Sequence, residues 1–126
     1  MIKFTLYDLP ASLNDWQNLH RLEKARRSKQ IQHDVYYASF NQRPKEPFKK
    51  AHVKITIFFL TNRQRDVLNY PCKPEIDGLV KAKIIKDDNT EIIGKPEINP
   101  DYDPVNPRTE YEITEIKTQT KEGVKL

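Results

Sequence analysis

The chain has 126 residues, a single cysteine, a formal net charge of +4 and a pI near 9.1. That length supports one hydrophobic core rather than two, and a lone Cys72 excludes an internal disulfide or a cysteine-rich metal knot. No apolar run approaches the roughly 18–20 residues that cross a bilayer, and no basic-then-apolar leader opens the sequence, so one cytoplasmic domain over residues 1–126, with no membrane partner, is expected.

In chain order, Ile2, Phe4 and Leu6 alternate with Lys3, Thr5 and Tyr7, the pattern of a half-buried strand. Pro10, Ser12 and Asn14 then supply turn chemistry, with Asn14 or Asp15 placed to cap a helix. From Asp15 to about Phe40 there is neither proline nor glycine, and Trp16, Leu19, Ile31, Val35 and Ala38 fall at helical spacings. One or two helices are expected there, broken where the apolar stripe lapses between Leu22 and Ile31. The basic cluster Arg21, Lys24, Arg26, Arg27 and Lys29 lies in or just before the second helix, facing DNA or only water.

A loop with Pro44 and Pro47 leads to the strongest strand, in which Val53, Ile55, Ile57 and Phe59 alternate with His52, Lys54, Thr56 and Phe58. Phe58 and Leu60 suggest that both faces are covered near its end. Pro71 and Pro74 suit only the first turn of a helix. Ile76, Leu79, Val80 and Ile84 give that helix about three turns, with Lys73 and Asp77 on one face if Lys73 is already helical. After the turn Asp87-Asp88-Asn89, residues Glu91 to Ile93 read as a third strand and Thr109 to Ile116 as a fourth, with Tyr111 and Ile113 facing in. The three prolines of Asn99 to Pro107 exclude a central strand there, leaving a segment that covers a sheet edge or reaches across a dimer. The tail from Lys117 is polar and expected to fray. The sum is an α+β domain of order β-α-β-α-β-β, with helices packed on a small mixed sheet of about four strands.

Chemistry concentrates between Arg63 and Asp88. Asp66 follows the end of a buried strand and Asp87-Asp88 precede the next, so the topology can bring Asp66 and Asp88 to one sheet edge. Carboxylates and water are the ligands that Mg²⁺ prefers, and such an ion can activate water and steady a leaving oxygen at a phosphodiester. Lys73 can offer a fixed positive charge to a developing phosphorane. Arg63 and Arg65 add a basic approach for a polyanion. The same residues also read as a turn and a surface ion pair. His20, His33 and His52 show no ligand spacing, and no Ser-His-Asp or Cys-His arrangement is present.

Taken in order, Arg65-Asp66-x-x-Asn69, a proline, Lys73, Asp77-Gly78-Leu79-Val80 and Asp87-Asp88 resemble the RusA family of Holliday junction resolvases, small endonucleases typical of prophages. Leu9-Pro10-x-Ser12-x-Asn14 resembles the opening of that family, and Glu112 to Ile116 its last strand, so the resemblance covers nearly the whole chain. It implies a RusA-like fold and a homodimer that binds four-way junctions and resolves them with paired nicks, using Mg²⁺. By position, Asp66 and Asp88 match metal aspartates, Asp87 their acidic neighbour, and Lys73 the catalytic lysine. Asn69 and Asp77 match family positions of unassigned role. The chain departs from the pattern at Leu68, which stands where the family has its second metal aspartate, and by one extra residue before Lys73. Three outcomes follow: Asn69 or Asp77 substitutes as a ligand, substrate phosphate completes the metal site, or the chain binds junctions without cutting them.

Overall fold

In the computed structural model, residues 1–117 are described. Residues 118–126, most of the tail expected to fray, lie outside them. Strand β1 (Ile2–Leu6) is followed by helix α1 (Leu13–Gln17) and the long helix α2 (Arg21–Ala38). Strand β2 (Ala51–Phe59), helix α3 (Lys73–Lys81), the one-turn helix α4 (Thr90–Ile93), and strands β3 (Glu97–Tyr102) and β4 (Arg108–Glu115) complete the chain. The result is an α+β domain on one mixed four-stranded sheet, as expected, in the order β1-β4-β2-β3. β4 runs antiparallel to both of its neighbours, whereas β2 and β3 are parallel. Among the described residues no helix is long and apolar enough to cross a membrane.

Register explains the core. Phe4 pairs with Tyr111, Tyr111 with Ile55 and Ile55 with Ile98, so one row of apolar side chains crosses all four strands. The Phe4 and Tyr111 rings stack at 4.8 Å. Because strand side chains alternate faces, the same period places Val53, Ile57 and Ile113 beneath the helices. Val35 of α2, Ile76 and Leu79 of α3, and Ile84 and Ile85 after it close the cluster from the other side. Each such fully buried side chain contributes roughly 1.5–3 kcal/mol of transfer free energy.

Helices α2 and α3 meet through Gly78, where a Cβ would lie 3.1 Å from Val35 Cγ2. A larger residue there would push the two helices apart.

Four local expectations are corrected. Helix α1 is capped by Ser12, whose hydroxyl accepts from the Asp15 amide at 3.1 Å, rather than by Asn14 or Asp15. Residues Glu91–Ile93 form α4 instead of a strand: the Asn89 side chain accepts from the Glu91 and Ile92 amides, and Gly94, at φ 59°, ends the turn. The third strand is instead β3, drawn partly from the proline-rich stretch. It lies at the edge of the sheet, where Pro100 removes no internal ladder bond. At the end of β2, Phe58 is covered by the Arg108 guanidinium at 4.0 Å, but Leu60 is exposed.

Candidate active site and nucleic-acid interface

Three devices place the central residues. Asp66 ends the loop after β2, and its Oδ1 accepts from the Leu68 amide at 3.0 Å, capping a single 3-10 turn over Val67–Asn69. Cys72 then adopts a left-handed backbone, φ 56° and ψ 37°, which is uncommon for a residue with a Cβ. This bend falls within the segment carrying the extra residue, and it sets Lys73 as the first residue of α3.

The third device is the reversal after α3. The Ile84 amide donates to Leu79 O and the Lys83 amide to Val80 O, with Lys83 itself left-handed at φ 61°. This is a Schellman-type cap with lysine in place of the usual glycine. Phe48 then pairs with the returning chain through Phe48 N to Ile84 O at 2.8 Å and Lys86 N to Phe48 O at 3.0 Å. The loop before β2 thus clamps the segment that delivers Asp87 and Asp88.

The outcome is a compact charged trio. Lys73 Nζ donates to Asp77 Oδ1 at 2.9 Å, one helical turn away, and to Asp88 Oδ2 at 2.5 Å. Hydrogen bonding to Asp88 first, then Asp77, raises the Lys73 ammonium above its ordinary pKa, while Lys73 holds the Asp88 carboxyl below its own. Lys73 is largely exposed, so each ion pair contributes about 1 kcal/mol or less to stability. Positioning, rather than stability, is what the trio secures.

The remaining sequence candidates are placed differently. Asp87 Oδ1 accepts from the Asp88 amide at 2.8 Å and so shapes the turn. Asp66 likewise bonds to its own local backbone, Asn69 is half-buried, and Leu68 is 80 % exposed. Among the described residues no three His, Cys, Asp or Glu side chains form a group that could hold a metal ion; the carboxylates the structure does bring together are the pair Asp77 and Asp88. Arg65 turns back on the strand: its guanidinium lies 3.8 Å from the Phe59 ring centroid and donates to Thr61 O, Thr61 Oγ1 and Arg63 O. Arg63 is exposed.

The basic cluster lies wholly within α2, which His20 caps through its Nδ1. Arg21, Arg26 and Lys29 are exposed, Lys24 and Arg27 are half-buried, and Arg26 is paired with Glu23.

Sequence reasoning missed a second feature beside the trio. A cleft of about 460 Å³ opens between α1, α2 and the start of α3, with Lys73 on its lining. Glu75, 4 % exposed, also lines it, and burial pushes its carboxyl up to about 7. A signal was available: Glu75 shares a helical stripe with Leu79 and Ala82, so a carboxylate sits in an apolar register. Burial also holds the neighbouring Cys72 thiol far above its ordinary range, which leaves it a poor nucleophile.

Comparison with protein-family models and with curated proteins finds no match to this chain.

Proposed function

We propose that the protein is a structure-specific DNA endonuclease acting on four-way junctions as a homodimer, in the manner of the RusA family that its central residues resemble. One observation supports this reading above the others: Lys73 is held between Asp77 and Asp88, residues four and fifteen positions away in sequence. A lysine at that point meets a scissile phosphate with fixed charge and can stabilise the negative charge that builds on phosphorus. The exposed arginines and lysine of α2 add attraction for the phosphate backbone.

The donor set is a partial fit for a hard divalent cation: two carboxylates, Asp77 and Asp88, meet here, and among the described residues no group of three does. Asp77 and Asp88 already direct carboxylate oxygens at one cationic centre, the Lys73 ammonium, and oxygen donors are what Mg²⁺ selects. Asp88 and Asp77 would hold the ion, with Asp66 adding its carboxylate as the resemblance implies. Bound there, Mg²⁺ would supply an activated water and charge neutralisation. Lys73, the first residue of α3, would then be released from the two carboxylates to orient the phosphate.

A second reading, junction binding without cleavage, is favoured by Leu68. Its exposed side chain occupies the position of an expected carboxylate and offers no lone pair. A labelled four-way junction incubated with and without Mg²⁺ separates the two. Paired nicks by the wild type, lost in Asp88→Asn, support the endonuclease. Tight, salt-sensitive junction binding with no nick at any Mg²⁺ concentration supports the binding protein, and equal affinity for junction and linear duplex excludes both.

A further inference from the structure

The face of α2 turned away from the core carries aromatic side chains that core packing does not explain. Ile31, Val35 and Ala38 belong to the core cluster. His33, Tyr36 and Tyr37, with Phe40 of the single 3-10 turn that follows (Phe40–Gln42), recur at helical spacing on the exposed side. Tyr37 is 61 % exposed and Phe40 57 %. The rings form a continuous line, with centroids 4.6 Å apart for His33 and Tyr37, 5.3 Å for Tyr36 and Tyr37, and 6.3 Å for Tyr36 and Phe40. Apolar surface gathered in one exposed patch marks a binding surface. Its mount is fixed at both ends: Ser39 Oγ donates to Val35 O at 2.7 Å, and the Gln42 side chain accepts from the Lys3 amide at 2.9 Å and donates to the Lys3 carbonyl at 2.6 Å.

Arg43 closes the line. Its guanidinium lies 3.9 Å from the Tyr36 ring centroid and 5.0 Å from that of Phe40. Its Nε is buried without a hydrogen-bond partner, and among the described residues the group enters no ion pair. A guanidinium held against aromatic faces with no carboxylate beside it suits an anion brought from outside. The rest of the face has the same sign: α2 carries five basic residues against two acids, of which Glu23 is paired with Arg26 and Asp34 accepts from Gln30. That balance favours a polyanion over a second copy of an equally basic face. A polyanion that also offers flat apolar surfaces is a nucleic acid, and an unpaired strand is the form that leaves the faces of its bases open.

We propose that this face, from Lys29 to Arg43, is a platform for an unpaired nucleic-acid strand, its bases stacking on Tyr37 and Phe40 and its phosphates meeting Lys29 and Arg43. Lys29 is exposed and precedes Tyr37 by about 12 Å along the helix axis. Stacking on an aromatic side chain is open to every base, so the platform reads strandedness rather than sequence. The assignment rests on the nucleic-acid reading of α2 given above, but not on cleavage. Duplex arms satisfy the basic half of the helix, whereas the aromatic half needs a strand that has been opened, as at a branch point.

The test follows the fluorescence anisotropy of labelled thymidylate and uridylate dodecamers on the full chain, with a blunt duplex of equal length and inorganic polyphosphate of matched charge as competitors. The thymidylate strand should bind at least tenfold tighter than the duplex or the polyphosphate. Thymidylate and uridylate should bind within about tenfold of each other, because ring faces and phosphates make no use of the 2′-hydroxyl; a larger gap names the strand as DNA or RNA. Tyr37→Ala and Phe40→Ala should each weaken binding about five- to hundredfold, Tyr37→Phe should retain it, and Arg43→Gln should flatten its salt dependence. Both alanine positions are exposed, so unchanged circular dichroism is expected. Equal affinity for strand and duplex, equal displacement by polyphosphate, or folded alanine variants that bind like the wild type overturn the assignment. So does sedimentation in which those variants turn a dimer into monomers while strand binding stays the same. A junction assay on the same wild-type preparation separates the two claims. A chain that prefers the four-way junction yet holds the single strand no tighter than duplex loses the platform alone, whereas Tyr37-dependent strand binding without junction preference sinks the junction reading and leaves the platform.

Discussion

Lys73 Nζ and Asp88 Oδ2 lie 2.5 Å apart although fifteen residues separate them in the chain. The contact depends on two left-handed residues, Cys72 before α3 and Lys83 after it, which turn the helix and its return into one charged corner. Removing the lysine should therefore be read at the aspartate. In Lys73→Ala, the Asp88 carboxyl should rise toward the ordinary aspartate range, as followed by carboxyl-carbon NMR titration. The stability carried by the depressed Asp88 is present above the unfolded aspartate value and lost as pH falls through the folded one. That carried by the raised Lys73 is lost instead as pH climbs past its folded value. Both contributions are small, about 1 kcal/mol or less, so an unfolded Lys73→Ala protein would contradict the positional role.

Leu68→Asp tests whether the missing carboxylate limits catalysis. Leu68 is 80 % exposed, so the change should alter stability by no more than about 0.5 kcal/mol. Under the endonuclease reading it should raise the rate of Mg²⁺-dependent junction nicking at least tenfold, and under the binding-protein reading it should restore nicking. A rate indistinguishable from wild type would show that position 68 has no part in metal binding.

Glu75 gives a stability signature independent of any ligand. Its folded carboxyl sits near 7 against an unfolded value of 4.5, with burial as the main cause. Between those values the folded state binds more protons than the unfolded, so stability falls as pH rises and the penalty is complete above 7. Glu75→Gln should remove that slope, raising stability at pH 8 by roughly 2–3 kcal/mol relative to wild type, given about 1.4 kcal/mol per pKa unit. At pH 4 the two proteins should nearly coincide in urea unfolding. Parallel pH profiles would mean that the carboxyl reaches solvent or a partner.

Gly78 sets the approach of α2 and α3. Its Cβ position is 3.1 Å from Val35 Cγ2 and 3.2 Å from Val35 Cβ, so a branched residue must force the helices apart. Gly78→Val should cost about 1–3 kcal/mol of unfolding free energy. Calorimetry showing no loss would mean that Val35 can move aside.

Much of the fold was legible because local periodicity and burial share a cause. The alternation through Val53–Phe59 and at Tyr111 and Ile113 appears directly as the buried face of β2 and β4. Errors arose where short-range capping overrode apolar content. Glu91-Ile92-Ile93 looks like a strand, but Asn89 and Gly94 bound it as one helical turn. The proline-rich segment was excluded from the sheet centre correctly, yet its pairing with β2 at the edge could not be read from composition.

For the candidate site, sequence alone determined which residue types are available: the aspartates, Lys73, and the leucine at position 68. Tertiary structure decided which of them meet. Lys73 and Asp77 lie one helical turn apart, so their contact follows from helix geometry. Asp88 joins them only because a left-handed cap and the Phe48 bridge return the chain to the start of α3. Asp66 and Asp87 bond instead to their own backbone neighbours. The cleft around Glu75 was decided at the same level, because its walls come from four separate parts of the chain and its buried carboxyl is defined by their packing rather than by any motif.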